Sequence, residues 1–106
     1  MDHDTLARYE ALARIIKALA HPTRLFLVDE LSRGERCVCA LTAMVGADIS
    51  TVSRHLAVLK NMGIVEDDKR GLQVYYRLKI PCVMNFFSCC DVVMKLRAEE
   101  QLTLVR

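Results

Sequence analysis

The stretch Asp48-Ile49-Ser50-Thr51-Val52-Ser53-Arg54-His55-Leu56 decides the fold of this chain. Its spacing predicts a helix with Asp48 as the N-cap, because a carboxylate at that position can accept the unpaired N–H groups of the first turn. Val52, Leu56 and Leu59 form one apolar stripe, and the opposite face carries short polar and basic side chains. A helix that enters the major groove of DNA needs this division, so the stretch is predicted to be a recognition helix.

The candidate DNA contacts lie on this helix and on the hairpin that follows it. Small hydroxyl groups permit a close approach and can bond phosphates or base edges, and Arg54 can bond a guanine edge or a phosphate. His55 and Lys60 could add phosphate contacts, and a basic turn at residues 69–71 would touch the flanking backbone. The predicted contact residues are Ser50, Thr51, Ser53, Arg54, His55, Lys60, Lys69 and Arg70.

Upstream of the recognition helix, apolar residues at helical spacing predict three more helices. Proline suits a first helical turn and glycine suits a helix end, so both residues mark the boundaries. The predicted helices span residues 5–19, Pro22 to Gly34, and about 37–45, with Gly46 as the break before Asp48.

Downstream of Gly63 the periodicity changes to two. Ile64-Val65 opens a strand, a turn follows, and residues 72–78 alternate between apolar and polar, which predicts a β-hairpin. Pro81 begins a last helix that is expected to run to about Glu100 and is apolar on more than one side. The predicted fold is mainly α with a β-hairpin, in the order α-α-α-α-β-β-α, which is a winged helix-turn-helix.

The size and composition of the chain limit the classes of protein to which it can belong. Its 106 residues fit one domain over 1–106, and 53% of them are hydrophobic, which is more than a small core needs. We therefore expect a homodimer through the first and last helices. The sequence shows neither a signal peptide nor an apolar run of about 20 residues, which predicts a cytoplasmic protein with no membrane partner. Because the net charge is only +2, DNA binding would require local positive charge.

Four linked motifs carry a resemblance to a known family. The sequence from about residue 12 to residue 80 resembles ArsR/SmtB-type transcriptional repressors, with the motifs in the same order and spacing. The resemblance implies a homodimeric winged-helix repressor that binds a palindromic operator and is released by a metal ion or another effector. The motifs are Ala18-Leu19-Ala20-His21-Pro22-Thr23-Arg24-Leu25, Glu35-Arg36-Cys37-Val38-Cys39-Ala40-Leu41, Ser50-Thr51-Val52-Ser53-Arg54-His55-Leu56 with Leu59 and Lys60, and Val74-Tyr75-Tyr76-Arg77-Leu78.

Two positions depart from the pattern of that family. Ile49 stands where a polar residue, often glutamine, is common, so it is not included among the predicted base contacts. His21 replaces the aspartate often found before the proline, and we expect this to weaken the cap of the second helix.

Cys37 and Cys39 form the first of two cysteine clusters and lie at the expected start of the third helix. Residues two apart in a helix point about 200° apart, so both thiols can hold one ion only if that turn distorts. Such a distortion would shift the recognition helix packed above it, which predicts allosteric coupling. In the resembling family the arsenic motif often has a third cysteine where this chain has Thr42, so a third ligand would have to come from elsewhere.

Cys82, Cys89 and Cys90 form the second cluster, in the last helix. Vicinal thiols there resemble the alternative arsenic sites of some family members. Thiolates suit soft ions, and three sulfurs in a pyramid would suit arsenite, so the predicted effector is arsenite or another soft metal ion at either cluster. Zinc or nickel sensing is not expected, because family members of that kind use histidine ligands and this helix has none.

Two rival interpretations remain open at the level of sequence. A thiol-oxidation or persulfide sensor on the same fold could pair two separated cysteines such as Cys39 and Cys89. A winged helix that binds protein instead of DNA would leave Arg54 and Arg70 as solvated charges. An enzyme is not predicted, because the sequence has no Gly-rich phosphate loop, no Cys-Xaa-Xaa-Cys motif and no catalytic Cys/His/Asn pattern.

Overall fold

The computed structural model describes residues 1–105 and consists of five helices and a small sheet. The helices are α1 His3–Leu19, α2 Pro22–Leu31, α3 Val38–Val45, α4 Ile49–Asn61 and α5 Val83–Val105; the strands are β1 Arg36–Cys37, β2 Val65–Arg70 and β3 Gln73–Leu78.

The first two helices begin at side-chain caps. The carboxylate of Asp2 accepts the N–H of Thr5 at 2.7 Å, and α1 starts two residues earlier than the sequence predicted. Before α2, Nδ1 of His21 accepts the N–H of Thr23 at 3.1 Å. The imidazole nitrogen of His21 thus supplies an acceptor at the position where an aspartate would supply one.

Helices α3 and α4 form the helix-turn-helix around Gly46. Gly46 has a φ of 77°, a left-handed conformation that only glycine adopts without strain, and it reverses the chain after α3. The core lies beneath α4 and is closed by α1, α2, the wing and the start of α5. Its buried members include Leu27, Val28, Leu41, Val52, Leu56, Leu59, Ile64 and Val65.

The sheet has three antiparallel strands in the order β1-β3-β2. β2 and β3 form the predicted hairpin, called the wing below, with Val65 opposite Leu78 and Arg70 opposite Gln73. The short strand β1 was missed from the sequence, where Cys37 was assigned to a helix. A strand of two residues is too short to show an alternating pattern. Only the pairing of Arg36 with Tyr76 and of Cys37 with Tyr75 defines it.

The last helix is longer and starts later than predicted. Pro81 and Cys82 form a turn, α5 begins at Val83, and it continues to Val105 and not to about Glu100. Along its outer length, side chains such as Val92, Val93 and Met94 are more than half exposed. Among residues 1–105, none of the helices combines the length and the apolar character that crossing a membrane requires.

Candidate functional site

The outer face of α4 places Arg54 in solvent, opposite the buried stripe of Val52, Leu56 and Leu59. Within residues 1–105, the Arg54 guanidinium forms neither an ion pair nor a side-chain hydrogen bond. Ser53, one residue earlier, is half-buried. An uncompensated guanidinium on the exposed face of a helix is available for a phosphate or a guanine edge.

Two other predicted contacts at the start of α4 are held by Asp48. The hydroxyls of Ser50 and Thr51 both donate to the carboxylate of Asp48, which makes no cap bond to the backbone. These hydroxyl donors lower the pKa of Asp48 to about 2, so the carboxylate stays ionised. As arranged, both hydroxyls can only accept further hydrogen bonds, which suits amino groups on base edges better than phosphate oxygens.

His55 is half-buried on α4, and its predicted phosphate contact would have to use Nε2, because Nδ1 is occupied. Its Nδ1 accepts a hydrogen bond from Nε of Arg24 at 3.1 Å, and its ring packs against that of His21 with centroids 4.4 Å apart. The sequence did not predict this contact for Arg24, because helical periodicity describes one helix and does not show which residues of α2 and α4 meet. His55 therefore joins the recognition helix to α2.

The basic residues of the wing are mostly paired with carboxylates. Lys60 at the end of α4 forms an ion pair of 3.0 Å with Asp67. Arg70 forms a bidentate pair with Glu35 at 2.7 and 2.8 Å and a further pair with Asp68 at 2.9 Å. Of the four basic residues predicted to touch phosphates outside the central face, only Lys69 is exposed without an ion pair within residues 1–105.

Cys37 and Cys39 lie where a strand passes into α3. Cys37 is the extended N-cap residue, not part of the helix, and its Sγ accepts the N–H of Ala40 at 3.3 Å. The expected 200° separation within one helical turn is therefore wrong for this pair. Cys39 is exposed and its Sγ donates to Oε1 of Gln73 at 3.2 Å. Thr42 bonds the carbonyl of Val38 at 2.7 Å, so its hydroxyl is turned to the helix backbone.

The second cysteine cluster is spread over the turn and the first half of α5. Cys82 and Cys89 are exposed, and Cys82 lies before the helix, so the expected shared helical face with Cys89 does not apply. Cys90 is half-buried. In residues 1–105 no three cysteine, histidine, aspartate or glutamate side chains are grouped closely enough to hold one metal ion. A three-sulfur site would need a rearrangement or a thiol from a second copy.

Apolar side chains of α1 and α5 surround an open cavity of about 300 Å³ beside Cys90. Ile16 of α1 is 51% exposed and Met94 of α5 is 60% exposed, although both line this cavity. Phe86, also in the lining, is nearly half exposed. Adjacent helices with this much uncovered apolar surface are typical of an interaction face.

Comparison with known proteins places this geometry in a family. Residues 21–67, from the cap of α2 into the wing, match the family described as bacterial regulatory protein, arsR family. The chain is 34% identical to the homodimeric winged helix-turn-helix DNA-binding domain of a possible ArsR-family regulator from Mycobacterium bovis. That similarity covers 94% of this chain and 93% of the other, with a TM-score of 0.79.

The chain belongs to the ArsR family. A solved antimony-specific repressor shares 30% identity over 93% of this chain and 90% of its own, with a TM-score of 0.77. The arsenical resistance operon repressor of Escherichia coli is 44% identical over 66 residues, which is 61% of this chain and 56% of that protein. An HTH-type transcriptional regulator of Mycobacterium tuberculosis is 38% identical over 82% of this chain but only 38% of its own length. The matched part of the chain thus spans between about a third and two thirds of the length of these curated relatives.

Membership of the ArsR family confirms two predictions from the sequence. The architecture is a winged helix-turn-helix, mainly α with a β-hairpin. The family and the named relatives are transcriptional regulators, not enzymes.

Proposed function

We propose that this chain is a transcriptional repressor that binds a palindromic operator as a homodimer and is released when its cysteines bind a thiophilic metal(loid), with arsenite as the favoured effector. The observation that carries the DNA-binding part is the solvent-facing Arg54 on the recognition helix α4 of an ArsR-family fold. The effector part is supported by exposed thiols and by relatives named for arsenical and antimony repression.

The recognition helix supports direct contact with the major groove. Its apolar stripe fixes the helix on the core, so the opposite face with Arg54 projects outward without needing to move. Arg54 can form a bidentate bond to guanine, which contributes about 1–3 kcal/mol of discrimination when the geometry is good. Ser53, one turn after Ile49, lies on the flank of the same helix. The wing contributes Lys69 at its tip.

The uncovered faces of α1 and α5 support the homodimer. A second copy packed on them would bury Ile16, Phe86 and Met94 and close the cavity that they line. A two-fold dimer presents two recognition helices to one face of DNA, so its operator needs matched half-sites about one helical turn apart.

The thiols support a soft effector more than a hard one. Cys37 and Cys39 are close in sequence and lie at the base of the helix that precedes the recognition helix. Sulfur ligands favour soft ions such as arsenite over oxygen-seeking ions. Occupation of Cys37 would replace the bond that caps α3, and occupation of Cys39 would remove its proton and its bond to Gln73. Both changes alter the helix that supports α4.

The test is a fluorescence anisotropy titration of a duplex from the region upstream of the chain's own gene, in reducing buffer. Arg54→Gln should weaken binding and lower the slope of log affinity against log salt by about 0.9 for each phosphate that Arg54 neutralises. Arg33→Gln is the matched control, because Arg33 is paired with Asp29 and Glu30 on α2. Equal binding by both variants would contradict the proposed role of α4.

The effector arm adds stoichiometric arsenite, with zinc in a parallel titration. Release by arsenite but not by zinc is expected, and the double variant Cys37→Ser/Cys39→Ser should retain DNA in its presence. If only a variant at Cys82, Cys89 and Cys90 loses the response, the sensor is the second cluster. Mass spectrometry separates arsenite from thiol oxidation, because only arsenite adds its own mass to unlinked thiols. Normal response in both cluster variants would contradict thiol sensing.

A further inference from the structure

Glu35 lies between α2 and β1 and forms ion pairs with two arginines of the wing. One carboxylate oxygen accepts from Nη1 of Arg70 at 2.7 Å, and the other accepts from Nη2 of Arg70 at 2.8 Å. The second oxygen is also 3.6 Å from Nη1 of Arg77. Glu35 therefore joins the base of the thiol-bearing segment to the outer part of the wing.

Each of the three guanidinium nitrogens of Arg70 donates to a carboxylate, although the side chain is 48% exposed. Its Nε donates to Asp68 at 2.9 Å, and its charge lies over the ring of Tyr75, 4.6 Å from the centroid. Hydrogen bonds to Glu35 and then to Asp68 raise the pKa of Arg70 above its usual value, so it is always charged. The end of the wing consequently offers DNA little net positive charge in this arrangement, although its sequence contains Lys69-Arg70.

The same segment is tied to the wing at two further points. Cys37 pairs with Tyr75 in the sheet, so the strand that begins one residue after Glu35 is hydrogen-bonded to β3. Two residues later, Sγ of Cys39 donates to Gln73 at the beginning of β3. These two contacts hold Glu35 at a fixed position relative to Arg70.

We propose that Glu35 is a positioning residue that withholds the guanidinium of Arg70 from DNA and thereby limits the affinity of the wing. The inference rests on the proposed DNA binding and adds a residue that limits it. A phosphate and the Glu35 carboxylate compete for the same planar pair of N–H donors, since both are bidentate acceptors of arginine. Breaking the pair in the free protein removes a competitor and leaves Arg70 free to bind one more phosphate in each protomer.

The test compares Glu35→Gln with Glu66→Gln in salt-dependent anisotropy titrations on the upstream duplex. Both variants remove one negative charge near the wing, but Glu66 pairs with Arg77 and not with Arg70. Two additional phosphates bound by a dimer should steepen the salt slope by about 2 and tighten binding roughly tenfold at low salt for Glu35→Gln. Glu66→Gln should tighten binding less and leave the slope unchanged.

The double variant Glu35→Gln/Arg70→Gln completes the test. It should show neither the higher affinity nor the steeper slope, because Arg70 is the group that Glu35 withholds. An equal effect of Glu35→Gln and Glu66→Gln, or a higher affinity that persists without Arg70, would overturn the inference while DNA binding itself stands. Absence of DNA binding in the wild-type protein and every variant would overturn the proposed function and this inference together.

Discussion

Arg24 donates from Nε to Nδ1 of His55 at 3.1 Å, across the junction between α2 and the recognition helix. The same guanidinium donates from Nη1 to the carbonyl of Ala18 at 3.3 Å, near the end of α1. One side chain thereby joins three helices, and the ring of His55 packs on that of His21. The position of the recognition helix depends on His55 keeping an unprotonated Nδ1, because only that nitrogen can accept the bond.

We expect acid to destabilise this junction through His55. Burial lowers the pKa of His55 below its ordinary 6.5, and the neighbouring His21, Arg24 and Arg54 lower it further. The unfolded chain therefore binds more protons than the folded one between the folded pKa and 6.5. The stability that depends on neutral His55 is fully present above pH 6.5. It is lost as the pH falls from 6.5 toward the pKa of His55 in the folded protein.

The measurement is the melting temperature by circular dichroism from about pH 7.5 to about pH 5.5, on either side of the ordinary histidine value. His55→Asn keeps an acceptor for Arg24 but does not titrate there, so its melting temperature should fall less than that of the wild type. His3→Asn, at the exposed start of α1, should behave as the wild type does. An equal fall in all three proteins would assign the acid sensitivity to other groups.

The helix boundaries that could be predicted from sequence are those marked by local chemistry. Asp48 lies at the N-cap position of α4 and Gly46 is the break before it, as predicted, and the alternating residues 73–78 form β3. Each of these signals comes from residues that are close together in the sequence, so it can be recognised without knowing the tertiary fold. The strand β1 has no such signal, because it exists only through pairing with a segment nearly 40 residues away. The predicted cap bond from the Asp48 carboxylate to the backbone is wrong, because that carboxylate accepts the hydroxyls of Ser50 and Thr51 instead. Leu72, predicted to be in the strand, is fully exposed in the turn.

The candidate site was harder to predict than the fold, for the same physical reason. Residue type indicated that Arg70 and His55 could reach DNA, but their partners Glu35 and Arg24 lie more than 30 residues away along the chain. Arg54 needs no partner, and its place on the outer face follows from helical period alone. A basic residue can be assigned from sequence to a surface, whereas its availability depends on the tertiary fold.

Replacing Gly46 by alanine should lower the free energy of unfolding by about 1–2 kcal/mol, which is the usual cost of a left-handed conformation for an L-residue. Gly46 has a φ of 77°, and an added Cβ would meet no atom within 4 Å, so the loss comes from the backbone and not from a clash. Gly46→Asn should lose less, because asparagine tolerates this conformation. Urea denaturation measures both variants, and an alanine variant as stable as the wild type would contradict the assigned geometry.

Leu59→Ala should lower the free energy of unfolding by about 2–5 kcal/mol, as for other fully buried leucines. Leu59 of α4 has no exposed surface and packs in the core cluster. Leu72→Ala makes the same chemical change at the fully exposed tip of the wing and should alter stability by less than about 0.5 kcal/mol. Urea denaturation of the two variants compares them directly. A similar loss of unfolding free energy in both variants would contradict the placement of Leu59 in the core.

Met94→Glu should convert the protein from a dimer to a monomer, as measured by sedimentation equilibrium. Met94 is 60% exposed in one chain yet lines the apolar cavity with Ile16 and Phe86, so a second copy would bury it, and an unpaired carboxylate there opposes association. Met44→Glu is the matched control, since Met44 is also exposed but lies on α3, away from that cavity. The control should keep the mass of the wild type. A Met94→Glu protein that remains dimeric would place the interface elsewhere, while a wild-type protein that sediments as a monomer would contradict the homodimer itself.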